Sequence, residues 1–332
     1  MVISLRAIAL KLKGKEHFEK TDKILTPSFT FTATGEAILR AGATPVFVDI
    51  DPQTFNISPE KIREYLEKQS QPTQPIEPAQ PAQPSKVVGI LPVHLYGQSC
   101  DMTEIMKIAK EHGLFVVEDT AQAFGSEHNN QKSGSIGDAG AFSFFPSKTL
   151  GGFGDGGMIA TNDDKIFEFA GILRKHGGKD KYNADYLGYN ARLDTIQAAI
   201  LLAKLKHIDS INTKRIELAD KYNNHLQNKK NIITPINKEN SKFSHVYHQY
   251  TLRVLNGKRD DLQAHLKQNG IQTMNYYKIP LHKMIVFKDR CELADNLPET
   301  EKAASEVINL PAEPLMENEE IKRVTETIQN FA

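Results

Sequence analysis

The chain has 332 residues, with 41 Lys plus Arg against 41 Asp plus Glu, so no global field favours nucleic acid or an anionic membrane, and any anionic ligand must be held locally. Cys100 and Cys291 stand far apart and outside any CxxC pattern, which speaks against a disulfide framework or a metal site and for a reducing, cytoplasmic home. No apolar run approaches the roughly 18 residues of a membrane span, and the length suits one large α/β domain plus a smaller one.

The opening MVISLRAIALKLKGK imitates a signal sequence, but Arg6 splits its apolar run and no small-residue cleavage site follows. Ile3, Leu5, Ile8, Ala9 and Leu12 predict an amphipathic helix instead. From Lys23 to Ala160 the strand candidates are KILT, PVFVDI, KVVGILPV, LFVVED, GAFSFF and GGMIAT. Helical patterns over Thr34 to Ala41, Pro59 to Lys68 and Met102 to His112 alternate with them, which predicts a mainly parallel sheet covered by helices. Ser58 before Pro59 is an N-cap and N1 pair, and Asp101 or Thr103 caps the later helix.

Between the second of these helices and the strand at Lys86, Pro72, Pro75, Pro78, Pro81 and Pro84 recur every third residue. That is the polyproline II period, so the Pro/Gln-rich insert at 69–85 is expected to be an extended, solvated spacer. A docking site for a proline-recognising partner is the sharper alternative and has no flanking support. After Asn190, RLDTIQAAILLAKLKHIDSINTKRIELADKYNNHL predicts one long helix or two, apolar along one stripe. HQYTLRVL then reads as a strand and KRDDLQAHLKQNG as a helix ending at Gly270. The large domain is expected over 1–203 and the small one over 204–332.

In an open parallel sheet, ligands lie beyond the carboxyl ends of the strands. Asp119 ends LFVVED, Ser143 lies in GAFSFF, and Lys148 follows in the loop FPSKTLGGFGDGG. An acid, a hydroxyl and a lysine at neighbouring strand ends suit an anionic heteroaromatic cofactor such as pyridoxal phosphate, which needs an amine, a partner for its ring nitrogen and phosphate donors.

TPSFTFTAT, GATPVFVDID, LPVHLYGQ, VVEDTAQAFGS, GDAGAFSFFPSKTLGGFGDGGMIAT and GYNARLDTIQAAIL, with HQYTLRV and YYKIPLH nearer the end, resemble the DegT/StrS sugar aminotransferases. The resemblance implies an α/β fold of the fold-type I pyridoxal-phosphate class. It places the cofactor-bearing lysine at Lys148 and the ring-nitrogen acid at Asp119. By the same likeness Gln122 sits near the ring oxygen, Ser143 binds the phosphate and Phe31 stacks on the ring. Asn190 would reach the phosphate in a neighbouring subunit, which implies a homodimer with shared active sites. His94, Tyr96, Tyr277 and His282 are substrate-pocket candidates, with a structural role the alternative for His94. Some relatives carry histidine at the lysine position and dehydrate their substrates; Lys148 points to transamination. The expected cofactor is pyridoxal 5'-phosphate, the donor glutamate, and the acceptor a nucleotide-diphosphate keto-sugar, with a lean toward a three-keto uronate.

Family members ordinarily begin with a Ser-Gly-Thr turn that helps cup the phosphate. Here the first residues resemble the helix after that turn, so the chain is expected to start downstream of it. Each missing charge-assisted hydrogen bond would weaken cofactor binding by roughly 1.5 to 3 kcal/mol, and a chain that keeps only a binding or assembly role is the resulting alternative. A nicotinamide oxidoreductase is the rival from another class, because Gly152, Gly154 and Gly157 satisfy GxGxxG. That fingerprint must open a helix, whereas these glycines lead into the strand-like MIAT. Glu118 beside Asp119 suggests paired carboxylates, but adjacent strand residues face opposite sides.

Overall fold

The computed structural model describes residues 1–70, 85–180, 182–238 and 241–331. Most of the Pro/Gln-rich insert, at 71–84, lies outside the described residues. The first half runs α1 (Val2–Lys13), β1 (Asp22–Pro27), α2 (Thr32–Arg40), β2 (Thr44–Val48), α3 (Pro59–Ser70), β3 (Lys86–Ile90), α4 (Met102–His112) and β4 (Phe115–Asp119). There follow β5 (Glu127–His128), β6 (Gln131–Lys132), β7 (Ala139–Ser143), β8 (Gly157–Ala160), α5 (Asp164–Leu173), α6 (Thr195–Leu205) and α7 (Ile208–Leu226). The chain closes with β9 (Ile232–Ile233), β10 (Tyr250–Val254), α8 (Arg259–Gln268), β11 (Glu292–Leu293), α9 (Pro298–Glu306), β12 (Val307–Leu310) and α10 (Asn318–Gln329).

The main sheet has the order β11-β2-β1-β3-β4-β7-β8. Its pairings are parallel except for β8, which runs antiparallel to β7. Continuous apolar runs form these strands because both faces are covered. Adjacent residues serve opposite cores: Ile24 and Val117 pack with Leu5, Ile8, Ile38 and Ile166 of α1, α2 and α5. Leu25 and Val116 pack with Ile62, Leu66, Ile105 and Ile108 of α3 and α4. The helix starts follow their expected chemistry, with Ser58 Oγ accepting from the Lys61 N–H at 3.2 Å and Asp101 accepting from the Glu104 N–H at 3.1 Å.

α1 departs from expectation. Ser4 through Leu10 are all buried, so its middle is enclosed on every side rather than along one stripe. Arg6 is tolerated there because it pairs with Glu16 at 2.6 Å and lies over the Tyr189 ring. The long helical stretch after Asn190 is two helices, α6 and α7, broken at Lys206–His207.

Toward the C-terminus, a three-stranded antiparallel sheet, β12-β10-β9, packs Leu252 and Ile308 against Leu218, Tyr222, Leu262 and Ile321 of α7, α8 and α10. Residues 281–297 then return to the main sheet: β11 pairs with β2, and Leu281, Phe287 and Leu297 enclose Phe47. Gly35 in α2 admits this return, since a Cβ there would lie 2.6 Å from the Phe287 ring.

Candidate active site

β4 and β7 are parallel neighbours, with Asp119 registered against Ala141, so Asp119 and Ser143 emerge at the same edge. Asp119 is buried, and its carboxylate is fixed by two donors: Thr34 Oγ1–H to Oδ2 at 2.8 Å and the Ala121 N–H to Oδ1 at 3.1 Å. The loop after β7 closes on itself, with Phe144 N–H donating to Gly156 O, Gly152 N–H to Phe144 O and Lys148 N–H to Phe145 O, each at 2.8 Å. Gly151 has to be glycine, because a Cβ there would stand 2.3 Å from Pro146 O. This loop presents Lys148 half-buried. Burial pushes the Lys148 amine below its ordinary 10.5, and the Asp119 charge pulls it part of the way back.

Gln122 joins two pocket walls. Its Oε1 accepts from the Tyr96 N–H at 2.7 Å, and its Nε2 donates to Tyr277 Oη at 2.7 Å. Tyr96 and Gly97 turn in the left-handed region, at φ 57° and 101°, a strained arrangement typical of functional sites. The Tyr96 hydroxyl donates to Tyr276 O. The Tyr277 ring meets Phe29 and Phe31, each at a 6.2 Å centroid distance. Phe31 itself is 55% exposed, leaving a ring surface uncovered next to the site. Burial pushes the Tyr277 phenol up, Gln122 opposes it and the Asp119 charge adds to it, so the group stays protonated.

His94 stands behind the site. It is fully buried, and Nδ1 accepts from the Cys100 N–H at 3.0 Å. In the neutral ring Nε2 then carries the proton and donates to Glu118 Oε2 at 2.9 Å. Glu118 also accepts from the N–H groups of Gly134 at 2.7 Å and of Ile136 and Gly137 at 2.8 Å. Burial raises the Glu118 carboxyl, but the His94 and backbone donors outweigh it and hold the group below its usual range. Both His94 nitrogens are thus spent inside the protein, and Glu118 organises the 134–137 loop on the face away from Asp119.

His282 pairs Nδ1 with Ser28 Oγ at 2.7 Å and Nε2 with Glu301 at 3.3 Å, which ties the 281–297 return to the loop after β1. Ser143 lies at the end of β7, its Oγ 3.4 Å from the Phe145 N–H. Asn190 is apart from the others, exposed and accepting from Arg192 Nε at 2.9 Å. Sequence reasoning missed Thr34: TPSFTFTAT contains it, but nothing local says that it turns to an acid 85 residues away. The three glycines of the GxGxxG pattern lead into β8, not a helix, so the nicotinamide reading has no structural footing.

Residues 2–329 match the family described as DegT/DnrJ/EryC1/StrS aminotransferases. The chain belongs to that aminotransferase family. A pleiotropic regulatory protein of Geobacillus stearothermophilus is 46% identical over 93% of this chain and 78% of its own length. A UDP-N-acetyl-3-dehydro-α-D-glucosamine 3-aminotransferase of Acidithiobacillus ferrooxidans is 38% identical over 97% of this chain and 81% of its own. The crystal structure of a DegT/DnrJ/EryC1/StrS aminotransferase from Brucella abortus superposes with a TM-score of 0.86 at 32% identity, covering 99% of this chain and 83% of that one.

Aminotransferases of this family run on pyridoxal 5'-phosphate. The residues present fit that group. A half-buried lysine is biased toward the neutral amine that bonds a carbonyl carbon. A buried carboxylate with both oxygens oriented can partner a ring N–H, and the exposed Phe31 ring offers an aromatic face beside them.

Proposed function

We propose that this aminotransferase transfers an amino group from glutamate to the keto group of a nucleotide-diphosphate sugar, with Lys148 as the cofactor-bearing residue and Asp119 as the partner of the cofactor ring nitrogen. The observation that carries the assignment is the half-buried Lys148 on the loop after β7, the neighbour of the strand whose end fixes the buried Asp119 carboxylate with two donors. The sugar assignment rests on the Acidithiobacillus relative, whose name specifies a UDP-linked 3-keto sugar, and it favours the three-keto position here.

When bound, the cofactor supplies a ring that takes up electrons as a substrate carbon gives up its proton. Lys148 moves that proton as general base and then acid. Asp119, pinned by Thr34 and Ala121, holds the proton at the ring nitrogen. Gln122 would lie toward the ring oxygen, Phe31 would stack on the ring and Ser143 would bind the phosphate. Tyr96, Tyr277 and His282 shape the sugar side, while His94 acts from behind as a brace. With glutamate as donor and a panel of keto-sugar nucleotides as acceptors, 2-oxoglutarate release is expected for a nucleotide-linked 3-keto sugar and not for the free sugar. Silence across the panel from protein that carries the lysine-bound visible absorption would rule out this substrate class.

The active form is a homodimer that shares its sites. In α6 Leu201 is buried, whereas Leu202 is 63% and Leu205, one turn further on, 40% exposed, apolar surface on one side of the helix and more than a lone surface residue. The helix also grips the cofactor loop, through Phe153 N–H to Gln197 Oε1 at 2.8 Å and Lys204 Nζ to Gly151 O at 2.5 Å. Pairing through α6 would bring Asn190 to the partner's phosphate. Leu202→Glu is expected to yield monomers by sedimentation velocity and to cut activity and cofactor retention together; a fully active monomer would end the shared-site reading. Both cysteines are free, which fits a reducing compartment, and no helix among the described residues is long and apolar enough to cross a membrane. We place the protein in the cytoplasm.

A further inference from the structure

The Tyr96–Gly97 turn needs something to hold it, because a non-glycine residue leaves the left-handed region unless its surroundings fix it. The loop between β2 and α3 supplies that hold through Phe55 and Asn56, neither of which has a part in the roles above. The Phe55 ring meets the Tyr96 ring edge-on at a 5.7 Å centroid distance. Asn56 is 3% exposed, and its amide makes three bonds. Oδ1 accepts from the Leu95 N–H at 2.9 Å, and Nδ2 donates to Gln98 O and Ser99 O, each at 3.1 Å. Only this orientation of the amide satisfies all three groups, since the reversed one would set its oxygen against two carbonyls.

These bonds fall on both legs of the turn and skip Tyr96 and Gly97 themselves. That pair faces the other way, with the Tyr96 N–H donating to Gln122 Oε1 at 2.7 Å and Gly97 O accepting from the Val246 N–H at 2.9 Å. The loop that carries Asn56 is closed by its own bonds: Asp51 Oδ1 accepts from the N–H groups of Gln53 and Thr54, each at 2.9 Å, and Asn56 O accepts from the Asp51 N–H at 2.8 Å. With both legs gripped from a closed loop, the Tyr96 N–H stays aimed at Gln122, whose Nε2 is thereby turned to Tyr277 Oη at 2.7 Å.

We propose that Asn56 is a positioning residue for the active site: it straps the turn so that the Tyr96 N–H fixes the Gln122 amide, and with it the wall that Gln122 and Tyr277 present to cofactor and sugar. This rests on the reading that Gln122 and Tyr277 line that site.

The test is amide hydrogen exchange in cofactor-free protein, read residue by residue by mass spectrometry. Leu95 loses its acceptor directly in Asn56→Ala, so the informative amide is Tyr96, whose acceptor is Gln122. In Asn56→Ala the Tyr96 amide is expected to exchange up to about tenfold faster, the effect of losing one buried hydrogen bond, while the amides of β4 keep their wild-type rates. Gln122→Ala should speed the same amide, and the double variant should exchange no faster than Gln122→Ala alone, as for two residues acting through one network. In the loaded enzyme Asn56→Ala should lower kcat with the lysine-bound visible absorption retained. An unchanged Tyr96 amide overturns the proposal, as does an acceleration shared by β4, which would mark Asn56 as packing, or an effect that adds fully to that of Gln122→Ala. If Asn56→Ala fails to fold, Asn56→Ser replaces it. Faster Tyr96 exchange beside unaltered turnover would uphold the strap and fault the reading of Gln122 instead.

Discussion

Lys148→Ala is expected to abolish the visible absorption of the protein mixed with pyridoxal phosphate and to reduce transamination by at least roughly 10²- to 10⁴-fold, the range typical of a lost general acid–base group. The loss has two physical sources. Without the amine nothing joins covalently to the cofactor aldehyde, and nothing at that position shuttles the substrate proton. An added primary amine should recover part of the turnover but not the absorption of the wild type.

The same variant is expected to be at least as stable as the wild type at neutral pH. Because the folded-state amine lies below its free value of 10.5, the unfolded chain binds this proton more tightly than the folded one. Stability linked to the group therefore climbs with pH from the folded value up to 10.5, and below that window the buried ammonium costs stability. A Tm for Lys148→Ala well under the wild type at pH 7 would contradict this account of the amine's environment.

Much of this site was legible because parallel strands, covered on both faces, leave apolar runs that end where a ligand binds. Asp119 and Ser143 stand at neighbouring strand ends and Lys148 on the loop after them, as that alternation predicts, and Gln122, added by the family likeness, lies beside Tyr96 and Tyr277, whereas Asn190 stands apart. The remainder depends on contacts between distant segments. The bond from Thr34 to Asp119 crosses 85 residues, and the Ser28–His282 pair crosses 254. The chain of Cys100 N–H, His94 and Glu118 is short in sequence, but its meaning lies in which nitrogen accepts, a fact visible only once the backbone N–H is placed. The return of residues 281–297 to the sheet edge was hidden because Leu281, Phe287 and Leu297 carry no helical or strand period; they pack as isolated anchors between turns. α1 misled for the opposite reason. A regular apolar period was present, but the second covering surface, which buries Arg6 with Glu16 and Tyr189, leaves no local trace.

Asp119→Asn should separate the electrostatic role of the carboxylate from its shape. Asparagine keeps one oxygen that can still accept from Thr34 or Ala121, as the carboxylate does at 2.8 and 3.1 Å, so the fold should survive. The charge that retains a proton on the ring nitrogen is lost. Truncating one partner of a buried, hydrogen-bonded charge pair costs about 2 to 5 kcal/mol, which corresponds to a fall in kcat/KM of roughly 30- to several thousand-fold at tenfold per 1.36 kcal/mol. The substitution also has a consequence that needs no cofactor. The Asp119 charge raises the Lys148 amine against the effect of burial, so removing it should move the Lys148 titration further down in cofactor-free protein. Measuring both quantities ties them to one cause. A large loss of turnover with an unmoved Lys148 titration would mean that the carboxylate acts on the cofactor without acting on the lysine. A moved titration with near-normal turnover would show that the ring nitrogen finds its partner elsewhere, and the assignment of Asp119 would fall.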